Sequence, residues 1–298
     1  MRACVIALSA AALLASGAAR SAEGPIKVDG RTIFVRCTGH GSPTIVLDAG
    51  LGDGAAAWGM IQPSIARISR VCAYDRPGEG ASDPPSGPQT VADQARTLEL
   101  LLRATHWPTP VVLVGHSWGG AVAQAFAEQH LGQVAGMVMI DPSVPDQLRK
   151  WLQLLPPKPK HGPDPSGPLR SELSQALRST QTSERLRWGA SDPELRRLTS
   201  LGKTPLVVLT AGMLGLSFPT QALQTRAYAT WLALHRRLAS LSSDSIHAVA
   251  QFSGHYIYES QPDLVVAAIR AVVLAARTHS HLPACRAVFR GHGGVSCI

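Results

Sequence analysis

Residues 111–120 read Val111-Val112-Leu113-Val114-Gly115-His116-Ser117-Trp118-Gly119-Gly120, and the fold of the chain turns on them. Four apolar residues, three of them β-branched, describe a buried strand. Ala121-Val122-Ala123-Gln124-Ala125-Phe126-Ala127 describes a helix. Between them, Gly-His-Ser-Trp-Gly leaves only a tight turn. Such a turn forces Ser117 into a strained backbone conformation, and Gly115, Gly119 and Gly120 remove the side chains that would collide there. The hydroxyl then stands above the sheet, with a helix N-terminus behind it that favours negative charge. The competing reading is an incidental serine in a Gly-rich turn, and the flanking sequence has to separate the two.

The chain has 298 residues, 45% apolar and 16% charged, which suits one large α/β domain with an insertion. Its start differs from the rest. Met1-Arg2, a largely apolar run over 3–15 and small residues through Ala19 have the charged, apolar and small-residue zones of a secretory signal peptide. Residues 1–22 are assigned to it, with cleavage between Ala18 and Ala22; an uncleaved anchor is the alternative. Cys4 precedes the apolar run and so is not placed for lipidation after a signal. No later stretch reaches the roughly 18 uninterrupted apolar residues of a membrane span. Export would leave Cys37, Cys72, Cys285 and Cys297 in an oxidising compartment. No Cys-x-x-Cys or Cys/His cluster suits zinc. The formal charge of +8 is scattered, with a loose concentration between Arg149 and Arg197. It forms no aromatic-interleaved basic stripe, which speaks against nucleic acid. A solvated face and an attraction to acidic lipid head groups account for it equally.

Periodicity and punctuation place the remaining elements. Residues 31–37 alternate as an edge strand does, and 44–49 form a more buried strand that runs into Gly50-Leu51-Gly52-Asp53-Gly54. A helix over 58–70 and a strand over 71–75 follow. Thr90 caps a helix reaching 104, with Val91, Ala95, Leu98, Leu101 and Leu102 on one face. After the opening stretch comes a strand over 134–140, with Asp141 at its C-terminal end. From 142 to 203 prolines cluster, and helices are expected over 171–186 and 193–201. A strand at 204–210, a helix at 220–241 and a last strand at 245–250 lead to Ser253-Gly254-His255-Tyr256 and a closing helix from 261 to 276.

The run Tyr74-Asp75-Arg76-Pro77-Gly78-Glu79-Gly80-Ala81-Ser82-Asp83 adds a second motif. Together with Gly115–Gly120 and the late His255, it resembles the α/β-hydrolase superfamily over residues 30–277. The resemblance implies a mostly parallel central sheet flanked by helices. It divides the chain into a core of 23–141 and 204–277, an inserted cap or lid of 142–203 and a tail of 278–298. It makes Ser117 the nucleophile of a strand–turn–helix elbow and gives Asp75 and Arg76 a structural part. Many members carry His-Gly in the loop that supplies half of the oxyanion hole. This chain has Ala49-Gly50, and the donor there would be the backbone N–H of Leu51, joined by that of Trp118. In the family's sheet order the strands of Cys37 and Cys72 are neighbours. A Cys37–Cys72 bridge is therefore geometrically open, with Cys285 and Cys297 left to close the tail.

A serine hydroxyl needs an adjacent base, and histidine titrates near neutrality. Of the eleven histidines, His255 stands where the family keeps its catalytic histidine. His116 is expected to point elsewhere, into packing, and His247 to be structural. The acid departs from the usual pattern, because no Asp or Glu lies between Lys203 and Asp244. Asp141 ends the strand after the nucleophile strand, at the correct edge, and is the first choice. Asp146 and Asp244 are the alternatives, although Asp244 precedes its strand and belongs at the opposite edge. A turn aspartate before Pro142 is the bland reading of Asp141.

The resemblance thus implies a serine hydrolase with a Ser117–His255–Asp141 triad, a small-molecule acyl substrate and no metal or organic cofactor. A carboxylic-ester hydrolase ranks first. The serine excludes haloalkane dehalogenases and epoxide hydrolases, whose elbow holds aspartate. C–C bond hydrolases and iminopeptidases stay open. So do a non-catalytic binding protein of the same fold and a lipid hydrolase at a membrane surface. The sequence carries no signal of oligomeric state.

Overall fold

The computed structural model describes residues 22–298. The signal-peptide assignment falls outside these residues, apart from Ala22, which opens the first strand. In chain order the first elements are β1 (Ala22–Val28), β2 (Arg31–Thr38), β3 (Ile45–Asp48), α1 (Gln62–Ala66), β4 (Val71–Tyr74) and α2 (Val91–Thr105). Next come β5 (Val111–His116), α3 (Trp118–His130) and β6 (Val134–Ile140). Three helices follow before the next strand: α4 (Gln147–Leu154), α5 (Gly167–Arg178) and α6 (Trp188–Leu195). The chain closes with β7 (Leu206–Ala211), α7 (Gln221–Ala239), β8 (Ser245–Ala250), α8 (Ile257–Ser260), α9 (Pro262–Thr278), α10 (Cys285–Val288) and β9 (Val295–Cys297).

The strands form one sheet in the order β1-β2-β4-β3-β5-β6-β7-β8-β9. From β4 to β8 every pairing is parallel; β1, β2 and β9 add antiparallel margins. Parallel strands covered on both faces read as continuous apolar runs, and β3, β4, β5 and β7 are buried at every position. Alternation along each strand still sorts the side chains into two cores. Val46, Leu113, Met137 and Val208 pack with α2, α3 and α7. Leu47, Val114, Val138 and Val207 pack with α9 through Leu264, Ala268 and Val272. Parallel strands all end on one side, so the loops after β3, β5, β6, β7 and β8 gather at a single rim, where open α/β sheets place their sites.

Helix α2 begins as Thr90 promised: the Thr90 amide donates to Asp93 Oδ2 at 2.8 Å, half of a capping box. Other expectations need correction. The helix expected over 58–70 is a 3-10 turn at Ala55–Trp58 followed by the short α1, because Pro63 has no N–H and is tolerated only in a first turn. The helices expected over 171–186 and 193–201 lie earlier. Pro168 opens α5, and α6 encloses Pro193. Residues 179–187 between them are not helical, and Leu186 bridges to Gln89 there. The edge strands β1 and β9 carry no strong periodicity and were not expected. Cys37 and Cys72 face each other across β2 and β4 and are disulfide-bonded, as are Cys285 and Cys297, which tie α10 to β9. Among the described residues no helix is long and apolar enough to cross a membrane.

Candidate active site

Ser117 caps α3 with φ 50° and ψ −118°, a conformation that costs a non-glycine residue about 1–3 kcal/mol. The surroundings over-determine it. Its amide donates to Ile140 O at 3.0 Å, and its carbonyl accepts from Gly120 N at 3.0 Å and Ser143 N at 2.8 Å. The elbow also meets the loop after β3, where Gly119 N donates to Ala49 O at 3.0 Å. A Cβ on Gly119 would stand 2.1 Å from Asp48 O, and one on Gly115 would stand 2.6 Å from Gly119 O. Any side chain at either position would push the strand, turn and loop apart.

Asp141 directly follows β6 at φ 41° and is almost fully buried. Its Oδ1 accepts from Ala211 N and Trp231 Nε1, both at 2.9 Å, and its Oδ2 accepts from His255 Nδ1 at 2.7 Å. Burial alone would raise its pKa. The His255 hydrogen bond and charge, with the Ala211 amide, outweigh that and hold the carboxyl below its ordinary value. Asp141 is therefore a carboxylate near neutral pH. An acceptor on Nδ1 selects the tautomer that leaves Nε2 of His255 as the basic nitrogen. The His255 side chain keeps 35% of its surface exposed. Among the described residues the Ser117 hydroxyl makes no hydrogen bond to His255.

The alternative acids lie elsewhere. Asp146 precedes α4 and pairs with Arg196 at 2.6 Å, and Asp244 precedes β8 and accepts from Leu282 N at 3.0 Å. His116 does go into packing, but against the site: its ring lies 4.6 Å from that of His255, and its Nε2 bonds the His255 carbonyl at 3.0 Å. That carbonyl only accepts, so Nε2 of His116 carries the proton. Burial, and then the His255 charge, lower its pKa to about 3, so the ring is neutral. His247 and His235 share the Thr210 hydroxyl at 2.8 and 2.7 Å, and His235 Nε2 donates to Pro142 O at 2.9 Å. Both are buried and neutral, lowered chiefly by that burial to about 3 and about 4. They form a polar brace behind Asp141.

On the other side of Ser117, the amides of Leu51 and Trp118 have no hydrogen-bond acceptor among the described residues. The loop that carries Leu51 is held by Arg76, whose Nη1 donates to Asp48 Oδ1 and Ala49 O at 2.5 Å and whose Nη2 donates to Gly50 O at 2.6 Å. Asp75 receives Ala55 N at 2.6 Å and Ala81 N at 2.8 Å. Both residues act on the loops. Beside Leu51 a hollow of about 310 Å³ is lined by Ala176, Thr182, Leu186 and Trp188 from the β6–β7 insertion. Sequence reasoning missed Trp231, His116 as a support for His255, and the partners of Arg76. A tryptophan on the buried face of α7 reads as core, and nothing local marks its N–H as a donor to an aspartate.

The chain has the α/β-hydrolase fold: the model of that fold family matches residues 43–163, which contain β3 to α4 and the elbow. An uncharacterized protein of Bacillus subtilis, YqjL, is 27% identical over 238 residues, 80% of this chain and 86% of its own. Several other curated relatives are matched over less than a third of their length. Among solved structures, a thermophilic esterase from Thermogutta terrifontis superposes with a TM-score of 0.58 at 21% identity, covering 86% of this chain and 99% of that one. A meta-cleavage product hydrolase from Pseudomonas fluorescens IP01 gives 0.60 at 19% identity, covering 85% and 98%. At these identities the likeness is one of fold.

Proposed function

We propose that the protein is an exported serine hydrolase that cleaves a small carboxylic ester or related acyl substrate. The observation that carries the reading is the 2.7 Å hydrogen bond from His255 Nδ1 to the Asp141 carboxylate at the rim that also holds the strained Ser117. In the reaction His255 Nε2 takes the Ser117 proton as the hydroxyl attacks the acyl carbonyl, and Asp141 stabilises the imidazolium. The Leu51 and Trp118 amides receive the oxyanion; one such donor contributes about 3 kcal/mol of transition-state stabilisation. His255 then protonates the leaving group, and water attacks the acyl-enzyme by the reverse proton path. No step calls on a metal or organic cofactor. The insertion at 142–203 acts as the cap that shapes substrate choice, and its hollow beside Leu51 suits a small substrate portion. Both disulfides fit a secreted or periplasmic location.

A fluorophosphonate probe tests the chemistry, because only an activated serine reacts quickly with it. Labelling of Ser117, mapped by peptide mass, is the expected result, with p-nitrophenyl ester turnover that falls as the acyl chain lengthens. Absence of both would leave a binding protein of hydrolase fold.

A further inference from the structure

We propose that Glu184, in the non-helical segment between α5 and α6, is a positioning residue that holds both backbone donors of the oxyanion site through one buried carboxylate. The inference rests on the serine-hydrolase reading above for the role of those donors, and on the following geometry for the rest.

Glu184 is fully buried although it belongs to the insertion rather than the sheet. Its carboxylate accepts Arg76 Nε at 2.8 Å and Nη2 at 2.6 Å, a two-point ion pair. With Asp48 Oδ1, Ala49 O and Gly50 O, this engages all five N–H groups of Arg76. The carbonyls of Ala49 and Gly50 immediately precede the Leu51 amide, so Arg76 sets the peptide planes that aim it. Glu184 also acts on that loop directly, accepting Gly52 N at 3.3 Å. A second branch leads to the other donor: Gln94 Nε2 donates to Glu184 Oε2 at 2.5 Å, and Gln94 Oε1 accepts the Trp118 indole N–H at 2.5 Å. The Trp118 ring is held from its other side by Trp188 of α6, centroid to centroid 4.6 Å.

One side chain from the insertion thus reaches the residue on each side of the elbow from which an oxyanion donor would come. The segment that carries it is fixed: Gln89 Nε2 donates to Glu184 O at 2.9 Å, and Gln89 and Arg187 pair through the backbone at 2.7 Å. This part of the insertion is a buttress rather than a moving lid.

The test is Glu184→Gln, which keeps the shape and removes the charge, read without and with catalysis. Hydrogen–deuterium exchange of the free protein should quicken in peptides covering 50–54 and 117–120 together, while 245–260 is unchanged. No acceleration in either peptide overturns the coupling, whatever the enzyme does. In ester turnover, kcat should fall about 10- to 100-fold, the range for a donor displaced by a fraction of an ångström, with KM nearly constant and the pH profile of kcat/KM unmoved. Inhibition by a trifluoromethyl ketone, whose adduct carries an oxyanion, should weaken by the same factor as kcat/KM. Parallel losses in KM and kcat, or a displaced pH profile, would mark a general distortion and overturn the assignment. If Glu184→Gln fails to fold, Gln94→Leu cuts one branch only: exchange should quicken over 117–120 and not over 50–54, and the opposite pattern refutes the proposal. A wild type that fluorophosphonate does not label would sink the hydrolase reading alone, since the exchange result stands apart from activity.

Discussion

The two sides of Ser117 are built on opposite plans. Toward β6, β7 and β8 stand Asp141 and His255, joined by a single bond, with the imidazole partly exposed and neutral histidines behind it. Toward β3 and β4 stands the Arg76 cluster, sealed from solvent and with every guanidinium N–H engaged. A group that must gain and lose a proton cannot be saturated with partners, because each added bond fixes one protonation state. A group that must only aim a dipole gains from saturation, since a preorganised donor does not reorganise during reaction. On the proposed reading, the loose half would do the proton transfer and the rigid half would receive the charge.

The hardest test of that contrast is the proposed nucleophile between the halves. Ser117→Ala should lower ester turnover by about 10⁵-fold while the melting temperature holds; retained turnover would remove the basis for assigning either half. Next in size, Asp141→Asn should cost about 10⁴-fold, because the amide presents the wrong partner to His255 Nδ1. Asp244→Asn, on the far edge, should leave turnover unchanged, and a reversal of the pair would move the acid.

Acid stability should report on the loose half. His116, His235 and His247 have folded pKa values of about 3, about 4 and about 3, set chiefly by burial, against about 6.5 in an unfolded chain. The unfolded state therefore binds protons that the folded state refuses, and stability falls as pH drops from about 6.5 toward 4. Denaturant titrations should show roughly 1 kcal/mol lost per pH unit for each histidine, and a flat curve would contradict their burial as neutral groups. Trp231→Phe sharpens the contrast further. It keeps the ring and removes one donor from Asp141, and turnover should fall roughly tenfold, the value of one hydrogen bond to a charged group. A matching fall in melting temperature alone would make the indole a purely structural group. The smallest effect is expected from Ser117→Gly, where relief of the φ 50° strain should raise stability by about 1 kcal/mol in thermal denaturation.

Local pattern made strands β2 to β8 and the elbow legible. Residues 111–127 carry the strand, the turn glycines and the helix in a single stretch, and each feature depends on near neighbours in the chain. Helix α2 was readable for the same reason, since Thr90, Asp93 and the apolar face all lie within its own length. The segment 142–203 was not. Its helix limits depend on what each residue buries against, and the burial of Glu184 rests on Arg76 and Gln94, which lie far from it in the chain.

From the sequence alone came the α/β order of elements, the serine at the turn, the histidine after the last long strand and the shortage of carboxylates that singled out Asp141. Those follow from backbone sterics and from residue types that admit few uses. Only the folded chain decided who touches whom: the Trp231 indole on Asp141, His116 beneath His255, and a carboxylate from the insertion holding the loop before Leu51. Such pairings join residues about 90 to 140 positions apart. They are set by the close packing of elements, which no local periodicity encodes.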